Sequence, residues 1–441
     1  MLCAKPSLTP FRLPAAPPSA PPISLKAHLR TFVRGTAGTS VAVAARTAGA
    51  LLLSKLLALY GGPGGLTQLA QLQNLMALFG ALPTDGVQLG ATSYLAPLRP
   101  GSPRHGLWLG AAAWLVLVLI GGAGLLLLLL GGPAWLAGRA LVFTGAMLLV
   151  AGQSLLGVAL LAAQRRGAYV LLTTALSALG PAAVAALLAL GQPLTRVLLG
   201  YVVGQALTFG LALGLARRAG LLRGWPGRGW PGRTALRGLA RFLLMALGNL
   251  LFGRAVEYVV RAYLIAHFAP SATDLWQAVA KLSDNYSLVV IAVLNTVFYP
   301  RLAALAAAPA EQRRYVGTVA GLLAVGLAAG LGLLYALRQP VLTLLFAPRL
   351  AAAAALLGPQ LLGDWAKFVS WVFQYLLLVR GRALPYLAMQ AGATLLYTSL
   401  LVNILPRLGL PGMVITHATH YGLLLVLSAG WFYFGKPRGK R

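Results

Sequence analysis

Apolar residues run in blocks of 20 or more from Gly35 towards the C-terminus, with Gly, Pro and basic residues between the blocks. Each block is long enough to cross a bilayer core of about 30 Å as a helix. The pattern predicts twelve spans, at about 36–60, 66–96, 107–130, 134–162, 168–190, 197–216, 242–268, 275–300, 315–336, 351–379, 383–404 and 411–434. Turn residues punctuate them: GGPGG at 61–65, GGP at 131–133 and GQP at 191–193. An unpaired backbone group is too costly in lipid for any open arrangement, so the fold class is an all-α polytopic membrane protein.

Composition supports this pattern and adds a direction. Of the 441 residues, 59% are hydrophobic and 10% charged, against about a quarter charged in soluble domains. The formal charge of +30 would suggest nucleic acid in a soluble chain. Here the basic residues fall in short loops, where orientation and anionic headgroups require them, and no nucleic-acid motif accompanies them. With the N-terminus placed in the cytoplasm, 25 Lys and Arg fall on the cytoplasmic side, 4 on the other and 7 inside spans. That asymmetry sets both termini in the cytoplasm and requires an even number of spans.

The longest basic loop, 217–241, has six spans on either side. It divides the chain into a cytoplasmic tail (1–34), a first six-helix lobe (35–216), a basic cytoplasmic linker (217–241), a second six-helix lobe (242–434) and a basic cytoplasmic tail (435–441). Repeated halves with a site between them are a common transporter plan, although no residue-level repeat is visible here. The Pro-, Ala- and Ser-rich first 30 residues lack the apolar core of a cleaved signal and read as disordered, or as the product of a misassigned start codon. One cysteine, Cys3, allows no disulfide within the chain.

Charges inside the spans carry the candidate chemistry. A charge at the bilayer centre costs about 3 kcal/mol on insertion scales, so it faces a cavity or a partner. The basic set is Arg46, Lys55, Arg139, Arg254, Arg261, Lys281 and Lys367; the acidic set is Asp85, Glu257, Asp284 and Asp364. In GRAVEYVVRAYL, Arg254, Glu257 and Arg261 share one helix face, with one positive charge left over. Lys281 with Asp284, and Asp364 with Lys367, repeat the i, i+3 pattern and balance locally, as structural pairs would. Arg46 has no local partner, while Lys55 and Arg139 lie near enough to the outer interface to snorkel. Gln71, Asn74 and Asp85 lie roughly on one face of the second span, and Pro83 is expected to bend or break it. Gln277 and Asn285 add polar groups to span eight. His417 and His420 stand i, i+3 on span twelve with no third ligand, which suits packing better than a metal. The surplus of positive charge suggests a hydrated cavity that receives an anion, and arginine's fork suits a phosphate.

The chain resembles the O-antigen and lipid III flippases, the Wzx-type polysaccharide transporters of the multidrug/oligosaccharidyl-lipid/polysaccharide (MOP) superfamily. The likeness covers about 36–434. It is carried by LLLSKLLALYGGPGGLTQLAQLQNLMALFG and GVQLGATSYLA in the first two spans and LWQAVAKLSDNYSLVVIAVLNTVFYPRLAAL in span eight. LLGPQLLGDWAKFVSWVFQYLLLVRGRALPYLAMQ completes it. Lys55, Trp276, Gln277, Asp284, Asp364 and Lys367 fall on matching positions. DGVQLG at 85–90 departs from the family's polar stretch there, which puts a family role for Asp85 in doubt.

The resemblance implies two six-helix bundles around a central cationic cavity in a bacterial inner membrane. It implies a substrate of undecaprenyl diphosphate carrying an oligosaccharide, moved from the cytoplasmic to the periplasmic leaflet for O-antigen-like surface polysaccharide. The expected diphosphate ligands are Arg46, Arg254, Arg261, Lys55, Lys281 and Lys367. Glu257, Asp284, Asp364 and Asp85 would couple or orient, and Gln71, Asn74, Gln277 and Asn285 would line the cavity. The expected partners are that lipid-linked glycan and membrane lipids, with a polysaccharide polymerase and a chain-length regulator as further candidates; no cofactor or metal is implied. The alternative is a drug/cation antiporter of the same superfamily or another lipid exporter, but a cation pump needs an acidic and aromatic cavity. A membrane-embedded enzyme, such as a glycan polymerase, needs catalytic groups in a sizeable loop, and the outer loops are short.

Overall fold

The computed structural model describes residues 44–132, 136, 138–224, 232–305, 308–379 and 383–434. The expected tails 1–34 and 435–441 and most of the GWPGR repeat lie outside these. Twelve helical crossings are present among the described residues. α1 is 44–60, and α2 runs Gly65–Ala81, through a π-helical segment Leu82–Gln88, into Leu89–Leu95. α3 is Pro103–Leu130, α4 Ala140–Ala162 and α5 Arg166–Ala189, and α6 joins Leu194–Ala206 to Thr208–Arg218. α7 runs Arg233–Asn249, through a π segment Leu250–Arg254, into Ala255–His267. α8 runs Pro270–Val293, through a π segment Leu294–Phe298, into Tyr299–Ala304. α9 is Pro309–Ala336, α10 Ala354–Val379, α11 Ala383–Leu408 and α12 Pro411–Phe434; a short helix Arg338–Leu345 and a 3₁₀ turn Pro348–Ala353 lie between α9 and α10.

Local sequence explains where these helices start. Pro stands at the first helical position of α3, α8, α9 and α12, where its missing N–H costs nothing. Ser102 also caps α3, accepting from the His105 backbone N–H at 3.2 Å. Gly62 and Gly64 take left-handed conformations (φ 71° and 83°) to turn α1 into α2. The expected interruption at Pro83 takes the form of the π segment: the helix continues, and the wider turn absorbs the missing donor.

Eight of these helices are long and apolar enough to cross a membrane, namely α3 to α7, α9, α11 and α12. The other four, α1, α2, α8 and α10, hold Lys55, Gln71 with Asn74, Lys281 with Asp284, and Asp364 with Lys367. Interior polarity, rather than shortness alone, lowers their mean hydropathy. Apolar side chains such as Leu130, Leu141 and Val325 are more than 70% exposed, as a lipid-facing surface requires.

Crossings alternate, so one end of the bundle holds the connection between Arg218 of α6 and Arg233 of α7, shorter than the expected 217–241 linker because α7 starts earlier, and the other holds the 61–64 hairpin. The buried apolar side chains divide largely by halves. One cluster runs from Leu53 to Leu239, and two more lie in the second half from Leu264 to Phe432, one of them taking in Ala58 and Leu66 from the hairpin end of the first half. Ala235 and Leu239 of α7 belong to the first cluster, so the start of α7 packs on the first half before the helix crosses to the second. Glycines permit this close approach. A Cβ at Gly86 would lie 2.8 Å from Leu243, and one at Gly90 would lie 2.9 Å from Phe242.

Candidate functional site

The charged face of α7 turns inward between the halves. Arg254 Nη1 stands 3.8 Å from Glu257 Oε2, with the two side chains 42% and 56% exposed. Two turns further along, Arg261 is buried. Its Nε donates to Gln277 Oε1 at 3.0 Å, and its guanidinium lies over the Trp276 ring, 5.5 Å from the centroid. Both partners come from α8. Arg261 Nη1 also reaches the Ala70 carbonyl of α2 at 3.5 Å, so the residue spans the two halves.

α8 brings a second cation to the same place. Lys281 donates to Gln73 of α2, and its charge interacts with those of Asp284, Arg261 and Glu257. Glu257 in turn interacts with Arg254, Asp284 and Arg261. Three cations and two anions therefore form one electrostatic cluster, with a positive charge in excess. Arg46 of α1 is exposed, and no hydrogen bond or ion pair joins it to the cluster among the described residues.

Carboxamides surround the cluster and are incompletely used. Gln71 Nε2 reaches the Tyr258 carbonyl at 3.5 Å, yet Gln71 Oε1, Asn74 Nδ2 and Gln277 Nε2 are buried with no hydrogen-bond partner. Unpaired buried polar atoms cost free energy, which makes this centre ready to accept a polar ligand or water. Asn285, beside the exposed Asp284 on α8, is half-buried. Next to the cluster, an apolar cavity of about 540 Å³ opens between α2, α3 and α7; Phe79, Pro83, Gly122, Leu126 and Tyr258 are among its walls.

The other expected site residues fall elsewhere. Asp85, in the π segment of α2, accepts from Asn249 Nδ2 of α7 at 2.6 Å. Lys55 lies at the hairpin end and donates to the Leu344 carbonyl at 2.9 Å. Asp364 and Lys367 form a second centre inside the second half. The Asp364 carboxylate is fully buried and accepts from Lys367 Nζ at 2.6 Å, Ser283 Oγ at 2.7 Å, Gln360 Nε2 at 3.2 Å and Tyr286 OH. His417 Nε2 lies 3.0 Å from it. His420 instead bonds the Ala393 carbonyl.

Sequence reasoning missed several of these partners. Gln73, Ser283 and Tyr286 are ordinary polar residues whose roles depend on neighbouring helices. Asp274 and Arg349, which join the halves at the hairpin end, were more accessible: Asp274 is one of only six acids in the chain and follows the helix-starting Pro270.

No family model matches the chain. It is 24% identical over 417 residues to the lipid III flippase of Escherichia coli (strain K12), covering 92% of this chain and 100% of that protein. The figures for the lipid III flippase of Shigella flexneri are the same. Among solved structures, the lipid II flippase MurJ in an inward closed conformation aligns with a TM-score of 0.64 at 10% identity, over 90% of this chain and 87% of that one. An inward-facing multidrug resistance MATE family transporter of the MOP superfamily gives 0.63 at 12% identity, over 89% and 93%. The chain thus has the fold of the MOP-superfamily transporters, which is the all-α, two-lobed, membrane-spanning architecture expected from its sequence.

Proposed function

We propose that this protein is a flippase that moves an undecaprenyl-diphosphate-linked oligosaccharide from the cytoplasmic to the periplasmic leaflet of a bacterial inner membrane, by alternating access. It lies in the membrane with both termini cytoplasmic and serves surface-polysaccharide assembly, where a polymerase and a chain-length regulator would act after it. Its work is transport, not catalysis. The observation that carries this reading is the cluster on α7 and α8, which is surplus in positive charge, partly exposed and bordered by unused carboxamides. The end-to-end similarity to lipid III flippases supports the choice of substrate.

In this reading the diphosphate docks on Arg254, Arg261 and Lys281, with Arg46 opposite on α1. Each guanidinium offers two parallel donors to phosphate oxygens, and the ligand brings the missing negative charge. Glu257 and Asp284 hold the cations in place between cycles. Gln71, Asn74, Gln277 and Asn285 meet the hydroxyls of the first sugars, and the apolar cavity beside Tyr258 seats the start of the prenyl chain. Lys55 and Lys367, already engaged elsewhere, are not part of this set, and neither are Asp85 and Asp364.

A drug/cation antiporter shares this fold, but a surplus of positive charge repels its substrates. The test is flipping of a lipid-linked oligosaccharide in cells depleted of other flippases. Full activity in an Arg254→Ala, Arg261→Ala double variant would refute diphosphate docking on this face.

A further inference from the structure

At the hairpin end, the second half grips the α1–α2 turn of the first half by its backbone. α2 begins at Gly65, and its N-cap position is Gly64, which has no side chain to cap it. Its first N–H groups are satisfied from across the seam instead: Asp274 Oδ2 accepts from Gly64 N at 2.9 Å, and Oδ1 accepts from Thr67 N at 2.9 Å. The Thr67 hydroxyl adds a third bond to Oδ1 at 2.8 Å. Asp274 is wholly buried by this contact. Arg349 treats the end of α1 in the complementary way. Its Nε and Nη2 donate to the Ala58 carbonyl at 3.0 and 2.8 Å, and Nη2 donates to the Gly62 carbonyl at 3.0 Å. An anion thus meets a helix N-terminus and a cation a helix C-terminus, as the helix dipoles favour.

Two further facts distinguish this contact from permanent helix glue. On the first-half side every group that Asp274 and Arg349 bond is a backbone amide, a backbone carbonyl or one hydroxyl, all of which water can satisfy once released. On the second-half side Arg349 Nη1 lies 3.7 Å from Asp274 Oδ2, so parting the halves leaves the two charges beside each other. Breaking a buried ion pair is costly because it strands a charge, and this arrangement strands none. The packing is close but simple: a Cβ on Gly64 would lie 3.0 Å from Pro270 Cβ.

We propose that Asp274, assisted by Arg349, is a latch that holds the hairpin end shut in the state seen here and releases when that end opens. The proposal rests on the alternating-access reading above. Asp274 is a positioning residue, since it sets which end of the central site is closed and touches no substrate.

The test reads access to the centre and needs no substrate. Cys3 is the sole cysteine, so a Cys3→Ser, Asn74→Cys chain carries one reporter thiol, about 15 Å inward of the latch along α2. A membrane-impermeant maleimide is applied to right-side-out and to inverted membranes. With the latch intact, labelling from the hairpin side is slow. Asp274→Asn should raise that rate about tenfold, the effect of losing one charge-assisted bond, while labelling from the linker side does not rise. Thr67→Val, which removes only the hydroxyl, should give a smaller rise in the same direction and serves if the Asn variant is poorly folded. Combining Asp274→Asn with Arg349→Gln should add little to either alone. An unchanged hairpin-side rate in Asp274→Asn and Thr67→Val, or an equal rise from both sides, would overturn the latch. If labelling behaves as expected while the protein with its native Asn74 moves no lipid-linked glycan, the proposed substrate is refuted and the latch stands.

Discussion

Two charged centres lie inside this bundle, and they are built on opposite terms. Around Asp364, donors from α8, α10 and α12 converge on one fully buried carboxylate. Its charge is matched by Lys367, which also has the Ser287 hydroxyl at 3.3 Å. Around Arg261, cations outnumber anions, Arg254 and Glu257 remain partly exposed, and three carboxamide atoms lack partners. Both centres carry an i, i+3 charge pair in sequence. The difference lies in satisfaction: a saturated centre holds helices together, and an unsaturated one has capacity for a ligand.

Mutations can break this contrast or sharpen it. The largest effect is expected from Asp364→Ala, which leaves Lys367 buried without its anion at a cost of about 3–5 kcal/mol. Folded yield and melting temperature in detergent should fall sharply, and Asp364→Leu with Lys367→Met should recover most of the loss. Recovered yield with no recovered transport would move this centre into the transport machinery and erase the contrast. Next, Arg254→Ala with Arg261→Ala should leave the protein in the membrane and reduce flipping on the order of a hundredfold, since two charge-assisted contacts are lost. Replacing either arginine by Lys keeps the charge but loses the fork; flipping should drop about tenfold, read in the same cellular assay. Glu257→Gln should change it least, about two- to threefold, because Glu257 is half-exposed and its pair with Arg254 is loose.

Much of the fold was legible because membrane insertion demands long apolar runs, and basic loops mark where they turn. The twelve crossings and the helix starts at Pro103, Pro270, Pro309 and Pro411 follow from local rules. The GRAVEYVVRAYL face was legible for the same reason, since lipid cannot host it. The partition of the cations was not. Lys55, Lys281 and Lys367 look alike in sequence, yet one caps a carbonyl at the hairpin end, one joins the centre and one neutralises Asp364. Those fates depend on which helices pack together, and periodicity within one span carries no record of that. Asp274 shows the limit from another side, because the groups it satisfies are backbone amides more than 200 residues away.

Among the described residues, three π segments occur, in α2, α7 and α8, the helices that meet at the cationic centre. A π turn is one residue more than an α-helix needs, and everything beyond it is rotated by about 100° relative to an uninterrupted helix. In α7 the extra residue lies within Leu250–Arg254, immediately before Glu257 and Arg261. The aim of the arginine face is therefore held by an insertion, not by a side chain. Losing any one of Leu250, Leu251, Phe252 or Gly253 would swing Arg261 out of the seam without altering a single charge, so a length change there is a more severe lesion than most substitutions.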